Sequence, residues 1–162
     1  MNTTTQVYSS MTPSRILHTM FRVSDLEQSI AFYQNALGMR VFSRETYTEG
    51  KFTLVFMGYG DAQTNPSIEL TYNWDPDAYQ HGTRYGHVAL AVEDLYGFCE
   101  RLTKKGVTVL RAPGQMSYVS DETGESDVIA FIEDPDGYKI ELIQALVSTR
   151  DQGMNSQFQS IG

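Results

Sequence analysis

The chain repeats itself at a fixed offset, and that repeat limits the folds open to it. His18 and His87 stand 69 residues apart, as do Val23 and Val92, and Asp25 and Asp94. Glu69 and Glu141, 72 apart, each sit inside an Ile-Glu-Leu triplet. Such a duplication requires two copies of one supersecondary unit, each with an apolar face to bury. Each copy opens on a His-led apolar run, His18-Thr19-Met20-Phe21-Arg22-Val23 or His87-Val88-Ala89-Leu90-Ala91-Val92, and closes on a strand with one glutamate in it.

The end of the second copy reads as a β-hairpin over 128–143. Two runs rich in β-branched and aromatic residues flank Asp134-Pro135-Asp136-Gly137, where Pro presets φ and Gly permits φ > 0. The two-residue period puts Ile140 and Leu142 on one face and Glu141 on the other. A lone strand glutamate ordinarily marks a solvated face. Its recurrence at Glu69, with Thr71 and Asn73 aligned along the same face, argues instead for a shared polar site. By the same period His18, Met20 and Arg22 point together, and so do His87, Ala89 and Ala91, whose small side chains leave room for a ligand.

Between these strands the signals order the rest. Ser24-Asp25-Leu26-Glu27 has the form of a capping box, with Ser24 as the cap. Leu26, Ile30, Tyr33 and Leu37 then make a helical apolar stripe that stops at Gly38. Strands are predicted over 15–23, 39–46, 51–59 and 66–73. In the second copy Asp94 caps a helix carrying Leu95, Phe98, Cys99 and Leu102, which ends near Gly106. A strand over 107–111 follows, then a loop over 112–127 that is longer than a hairpin needs. The expected organisation is a flexible arm (1–14), a first βαβββ module (15–74), a connector (75–84), a second βαβββ module (85–145) and a polar tail (146–162), an α+β fold.

Composition narrows the partners. A net charge of −8 disfavours nucleic acid and anionic membrane surfaces. No apolar stretch fits a membrane span or a secretory signal, so a cytoplasmic protein is expected. The single cysteine, Cys99, excludes an intrachain disulfide. Two imidazoles and two carboxylates suit a borderline divalent metal and leave two octahedral positions for water or substrate. His81, in the Tyr79-Gln80-His81-Gly82 connector, is not counted among the ligands.

Four stretches in order carry a family resemblance: Leu17-His18-Thr19-Met20-Phe21-Arg22-Val23, Ile68-Glu69-Leu70-Thr71-Tyr72-Asn73-Trp74, Tyr85-Gly86-His87-Val88-Ala89, and 129–142 from Ile129 to Leu142. Through them the chain resembles glyoxalase I (lactoylglutathione lyase) of the vicinal oxygen chelate superfamily, in its compact bacterial form. The resemblance implies two tandem βαβββ modules, and a metal held by His18, Glu69, His87 and Glu141. Nickel is the expected metal, with cobalt or zinc as alternatives. It further implies Glu141 as catalytic base with Glu69 its symmetry partner, Arg22, Asn73 and His87 as substrate contacts, glutathione as cosubstrate, and a homodimer whose sites are shared between chains. Within the same fold the alternatives are a small-molecule binding or resistance protein, and an extradiol dioxygenase using two His and one carboxylate. One departure stands out: 112–138 holds seven acids and no Lys or Arg, where the family ordinarily places basic residues. Arg84, Arg44 and Lys51 are the cations expected to compensate.

Overall fold

The structure, a computed structural model, describes residues 12–76 and 78–145. The expected arm and tail lie almost wholly outside the described residues. Two four-stranded sheets follow one plan. In the first, β1 (His18–Arg22), β2 (Arg40–Tyr47), β3 (Phe52–Gly58) and β4 (Ser67–Asn73) are ordered β1-β4-β3-β2. In the second, β5 (Val88–Val92), β6 (Val109–Gln115), β7 (Val128–Glu133) and β8 (Lys139–Gln144) are ordered β5-β8-β7-β6. The opening strand of each module pairs parallel with the closing one, and the other pairs are antiparallel. This is the tandem βαβββ, α+β arrangement that the repeat predicts.

Each sheet buries one face. Phe21, Val23, Val55, Met57, Ile68 and Leu70 of the first module share an apolar core with Leu95, Leu102, Ile132, Ile140 and Leu142 of the second. In the second module α2 (Leu95–Lys104) buries Leu95, Cys99 and Leu102, and Asp94 caps it by accepting the Gly97 N–H at 3.0 Å. Gly106 follows at φ +79, the left-handed position expected beyond a helix end.

Three local expectations are corrected. The first helix, α1 (Leu26–Ala31), is capped by Asp25, which accepts the Gln28 N–H at 2.9 Å, and not by Ser24. The Ser24 N–H is drawn 3.0 Å away to the Asp136 carboxylate, and Glu27 turns to Arg44 at 2.7 Å, so no capping box forms. The helix then widens into a π-helical turn, Phe32–Ala36. Finally, β6 starts later than expected and runs through Pro113 to Gln115. An edge strand with register shifts on either side of Arg111 tolerates a proline there. Arg111 secures the irregular segment by donating to the carbonyls of Ile129 at 3.1 Å and Gln115 at 2.8 Å.

The hairpin turn joins the two modules. The buried Tyr33 hydroxyl donates to Asp134 Oδ2 at 2.7 Å, while Asp134 Oδ1 accepts the N–H groups of Asp136 and Tyr138, both at 2.9 Å. Asp136 receives the Ser24 N–H, Tyr138 donates to the Arg22 carbonyl at 2.8 Å, and Phe21 stacks on Tyr138 with centroids 4.8 Å apart. His81 also belongs here: its Nε2 lies 3.0 Å from the Asp136 carbonyl oxygen and its ring packs against Tyr138. It clasps the connector to the turn.

Burial holds the Asp134 carboxyl above the usual carboxylate range, against the pull of its hydrogen bonds, and burial also pushes the Tyr33 hydroxyl up. Tyr33→Phe therefore removes one donor to a buried acid and should lower stability by about 1–3 kcal/mol, read from urea midpoints. A carboxyl whose folded pKa is raised contributes stability when protonated and loses it as pH rises through the folded value. Asp134→Asn should accordingly gain on wild type as pH climbs from acid to neutrality. A stability gap between the two that does not change with pH would contradict that reading.

Candidate functional site

The exposed face of each sheet carries a matched pair. In the first, the parallel register sets Met20 beside Glu69, so the glutamate reaches diagonally back to His18, two residues earlier on the same face. His18 Nε2 lies 2.9 Å from Glu69 Oε2. In the second, Ala89 is beside Glu141, and His87 Nε2 lies 2.9 Å from Glu141 Oε2. Behind each imidazole stands a phenylalanine edge-on, Phe56 to His18 and Phe131 to His87, with centroids 5.3 Å apart in both cases. The glutamate side chains are 13% and 14% exposed, sheltered yet open on one side.

The four expected ligands thus come together as two pairs on two sheets. Among the described residues no group of three or more His, Cys, Asp or Glu gathers within one chain. Each pair nevertheless brings one ring nitrogen within 2.9 Å of one carboxylate oxygen, and these are two of the donor types that a borderline divalent metal takes.

The remaining predicted residues surround these pairs unequally. Arg22 is exposed on the His18 face, and among the described residues its guanidinium has no acidic partner. Asn73 is half-buried and donates to the Tyr79 hydroxyl at 2.9 Å, which leaves its carbonyl oxygen available. Met20, 39% exposed, forms part of this open face and not of the core. Two of the compensating cations are engaged elsewhere: Arg44 pairs with Glu27 and Lys51 with Asp75.

Sequence reasoning missed the cations that do lie near the second pair. A cleft of about 390 Å³ beside His87 is lined by Tyr85, Gly86, Leu110, Arg111, Phe131 and Lys139. Arg111 and Lys139 stand just outside either end of the acid-rich 112–138 segment. Lys139 lies two residues before Glu141 on the same strand, hence on the same face, and that spacing was a signal available in the sequence. Its backbone carbonyl accepts the Tyr85 hydroxyl at 3.0 Å, and burial pushes the Tyr85 hydroxyl up to about 12, so it remains a donor. Phe131 was equally predictable, because a hairpin turning at Asp134–Gly137 sets position 131 opposite 141.

This site belongs to a known class. Residues 15–142 match the model of the Glyoxalase/Bleomycin resistance protein/Dioxygenase superfamily, and the chain belongs to that superfamily. Within it the similarity falls among the lactoylglutathione lyases. The lactoylglutathione lyase of Neisseria meningitidis serogroup A is 52% identical over 130 residues, covering 80% of this chain and 90% of its own. Glyoxalase I from Zea mays superposes with a TM-score of 0.74 at 41% identity, covering 82% of this chain but only 45% of the maize chain. The trypanothione-dependent glyoxalase I of Leishmania major is 42% identical, with a TM-score of 0.67, over 81% of this chain and 86% of its own.

Proposed function

We propose that this enzyme is a metal-dependent glyoxalase I, which converts the hemithioacetal of methylglyoxal and glutathione into S-lactoylglutathione and so detoxifies methylglyoxal in the cytoplasm. The observation that carries the reading is the duplicated imidazole–carboxylate pair, one per sheet, each at 2.9 Å. Two such halves make one site of two nitrogens and two oxygens with open positions for a bidentate substrate. Since the halves stand apart within one chain, the site forms between two copies, His18 and Glu69 of one facing His87 and Glu141 of the partner subunit. The maize chain, of which this one covers less than half, is in keeping with a site that needs more than one copy of this length.

His18, Glu69, His87 and Glu141 would hold the metal, for which nickel is proposed, with cobalt and zinc the alternatives. When bound, a divalent cation supplies Lewis acidity at the substrate's vicinal oxygens, which makes the neighbouring C–H acidic enough to ionise. Glu141 takes the proton from the sulfur-bearing carbon and returns it to the adjacent carbon, so the reaction passes through an enediolate and leaves a thioester. Glu69 stays a ligand. Arg22 and Asn73 hold the glutathione part, His87 borders the reacting carbons, and Lys139 meets a peptide carboxylate from the second module. The thiol is thus gripped by cations of both subunits despite the acid-rich segment.

Three tests follow. His18→Ala and His87→Ala should each lower bound metal and turnover together, while Glu141→Gln keeps the fold and much of the metal but loses most turnover. Full metal and rate in either His variant, read by elemental analysis and assay, would remove that residue from the ligand set.

Co-refolding His18→Ala with Glu141→Gln should restore part of the activity, because a mixed dimer carries both lesions in one site and leaves the other intact. Heterodimers without recovery would confine each site to one chain.

Arg22→Ala and Lys139→Met should raise KM for the hemithioacetal while changing kcat less, and the two effects should weaken as salt rises. An unchanged KM in the Lys139 variant would remove it from the thiol site.

A further inference from the structure

The two halves of the site match in their imidazole–carboxylate distance, their phenylalanine backing and their glutamate exposure, and they differ in what reaches the glutamate's second oxygen. Two residues beyond Glu69 stands Thr71; two beyond Glu141 stands Ile143. The Thr71 hydroxyl donates to Glu69 Oε1 at 2.8 Å, while Glu69 Oε2 is at His18. Both oxygens of Glu69 are therefore fixed, by a donor that is itself buried at 8% exposure. Glu141 has only His87: among the described residues its second oxygen receives no hydrogen bond, and an isoleucine has none to give. A hydrogen bond from a sheltered hydroxyl to a carboxylate is of the stronger kind and fixes the group's rotation as well as its position.

Resting on the glyoxalase I reading, we propose that Thr71 is the positioning residue that divides labour between the two glutamates. By holding Glu69 as a fixed ligand it leaves Glu141, unrestrained at one oxygen, as the carboxylate that can swing to the substrate carbon and take its proton. The duplicated ancestry of the fold supplies two chemically equivalent acids. One hydroxyl makes them unequal.

The test uses full-length protein and two readouts. Metal affinity, by competition with a chromophoric chelator, should weaken roughly tenfold in Thr71→Val, on the order expected for one charge-assisted hydrogen bond, and return in Thr71→Ser. In the Glu141→Gln background the same Thr71→Val change should raise the residual turnover, because a released Glu69 can then serve as base. That reversal of sign is not produced by a residue that only supports the fold. The converse variant, Ile143→Thr, offers Glu141 a hydroxyl and should tighten metal binding while lowering kcat. Unchanged affinity in Thr71→Val, or no gain of turnover in the Glu141→Gln background, would overturn the proposal. The affinity measurement needs no substrate, so it judges Thr71 even if wild-type protein proves inactive on the hemithioacetal, an outcome that would sink the glyoxalase I reading by itself.

Discussion

Everything at the site depends on the register between the opening and closing strands of each module. Strands paired in parallel require a crossover, and here the crossover is the helix and the two intervening strands that make up the rest of the module. The pairing of residue 20 with 69, and of 89 with 141, leaves each glutamate one diagonal step from its histidine. A slip of one residue would send Glu69 or Glu141 into the apolar core and Leu70 or Leu142 out of it. Burial of Phe21, Leu70, Ile140 and Leu142 therefore locks the His–Glu pairs in place without any direct contribution from the polar atoms. The polar face is specified by the apolar one behind it.

That division accounts for how much could be read from the sequence. The helix and strand periods, the duplicate spacing and the Asp134-Pro135-Asp136-Gly137 turn are local signals, and they led to the two sheets and to the His–Glu pairs. The errors arise where a distant group outbids a local one. Ser24 has the better capping-box context, yet its N–H is needed by Asp136, 112 residues away, and Asp25 takes over as cap. Pro113 and Gly114 argue locally against a strand, but β6 is an edge, where a missing donor faces no neighbour, and Arg111 satisfies the carbonyls that the register shifts expose. The π-helical turn has no signature of its own in Phe32–Ala36. It accompanies the burial of Tyr33, which must reach Asp134 in the other module.

The junction at Asp134 sets how the two modules are held together. The turn of the last hairpin is held against α1 and the end of β1 by Tyr33, Ser24, the Arg22 carbonyl and the stack of Phe21 on Tyr138. A buried acid satisfied by one hydroxyl and two backbone N–H groups tolerates little displacement, since any opening leaves a desolvated carboxylate short of donors. The junction is built from the ends of the modules and lies off the exposed sheet faces. It fixes the two modules relative to each other while leaving both His–Glu faces open to a second surface.

Each open face sets one His–Glu pair among apolar groups, Met20 and Phe56 in the first sheet, Ala89 and Phe131 in the second. The two modules repeat one plan, so their polar faces present the same imidazole–carboxylate pair. The same likeness creates a chemical difficulty, because two equivalent glutamates would compete for the roles of ligand and base, and a base must leave the position that a ligand must hold. A duplicated site becomes directional only where the copies have diverged. In this chain the divergence that touches a carboxylate lies two residues past each glutamate, a threonine in one copy and an isoleucine in the other, each on the face that its own glutamate occupies.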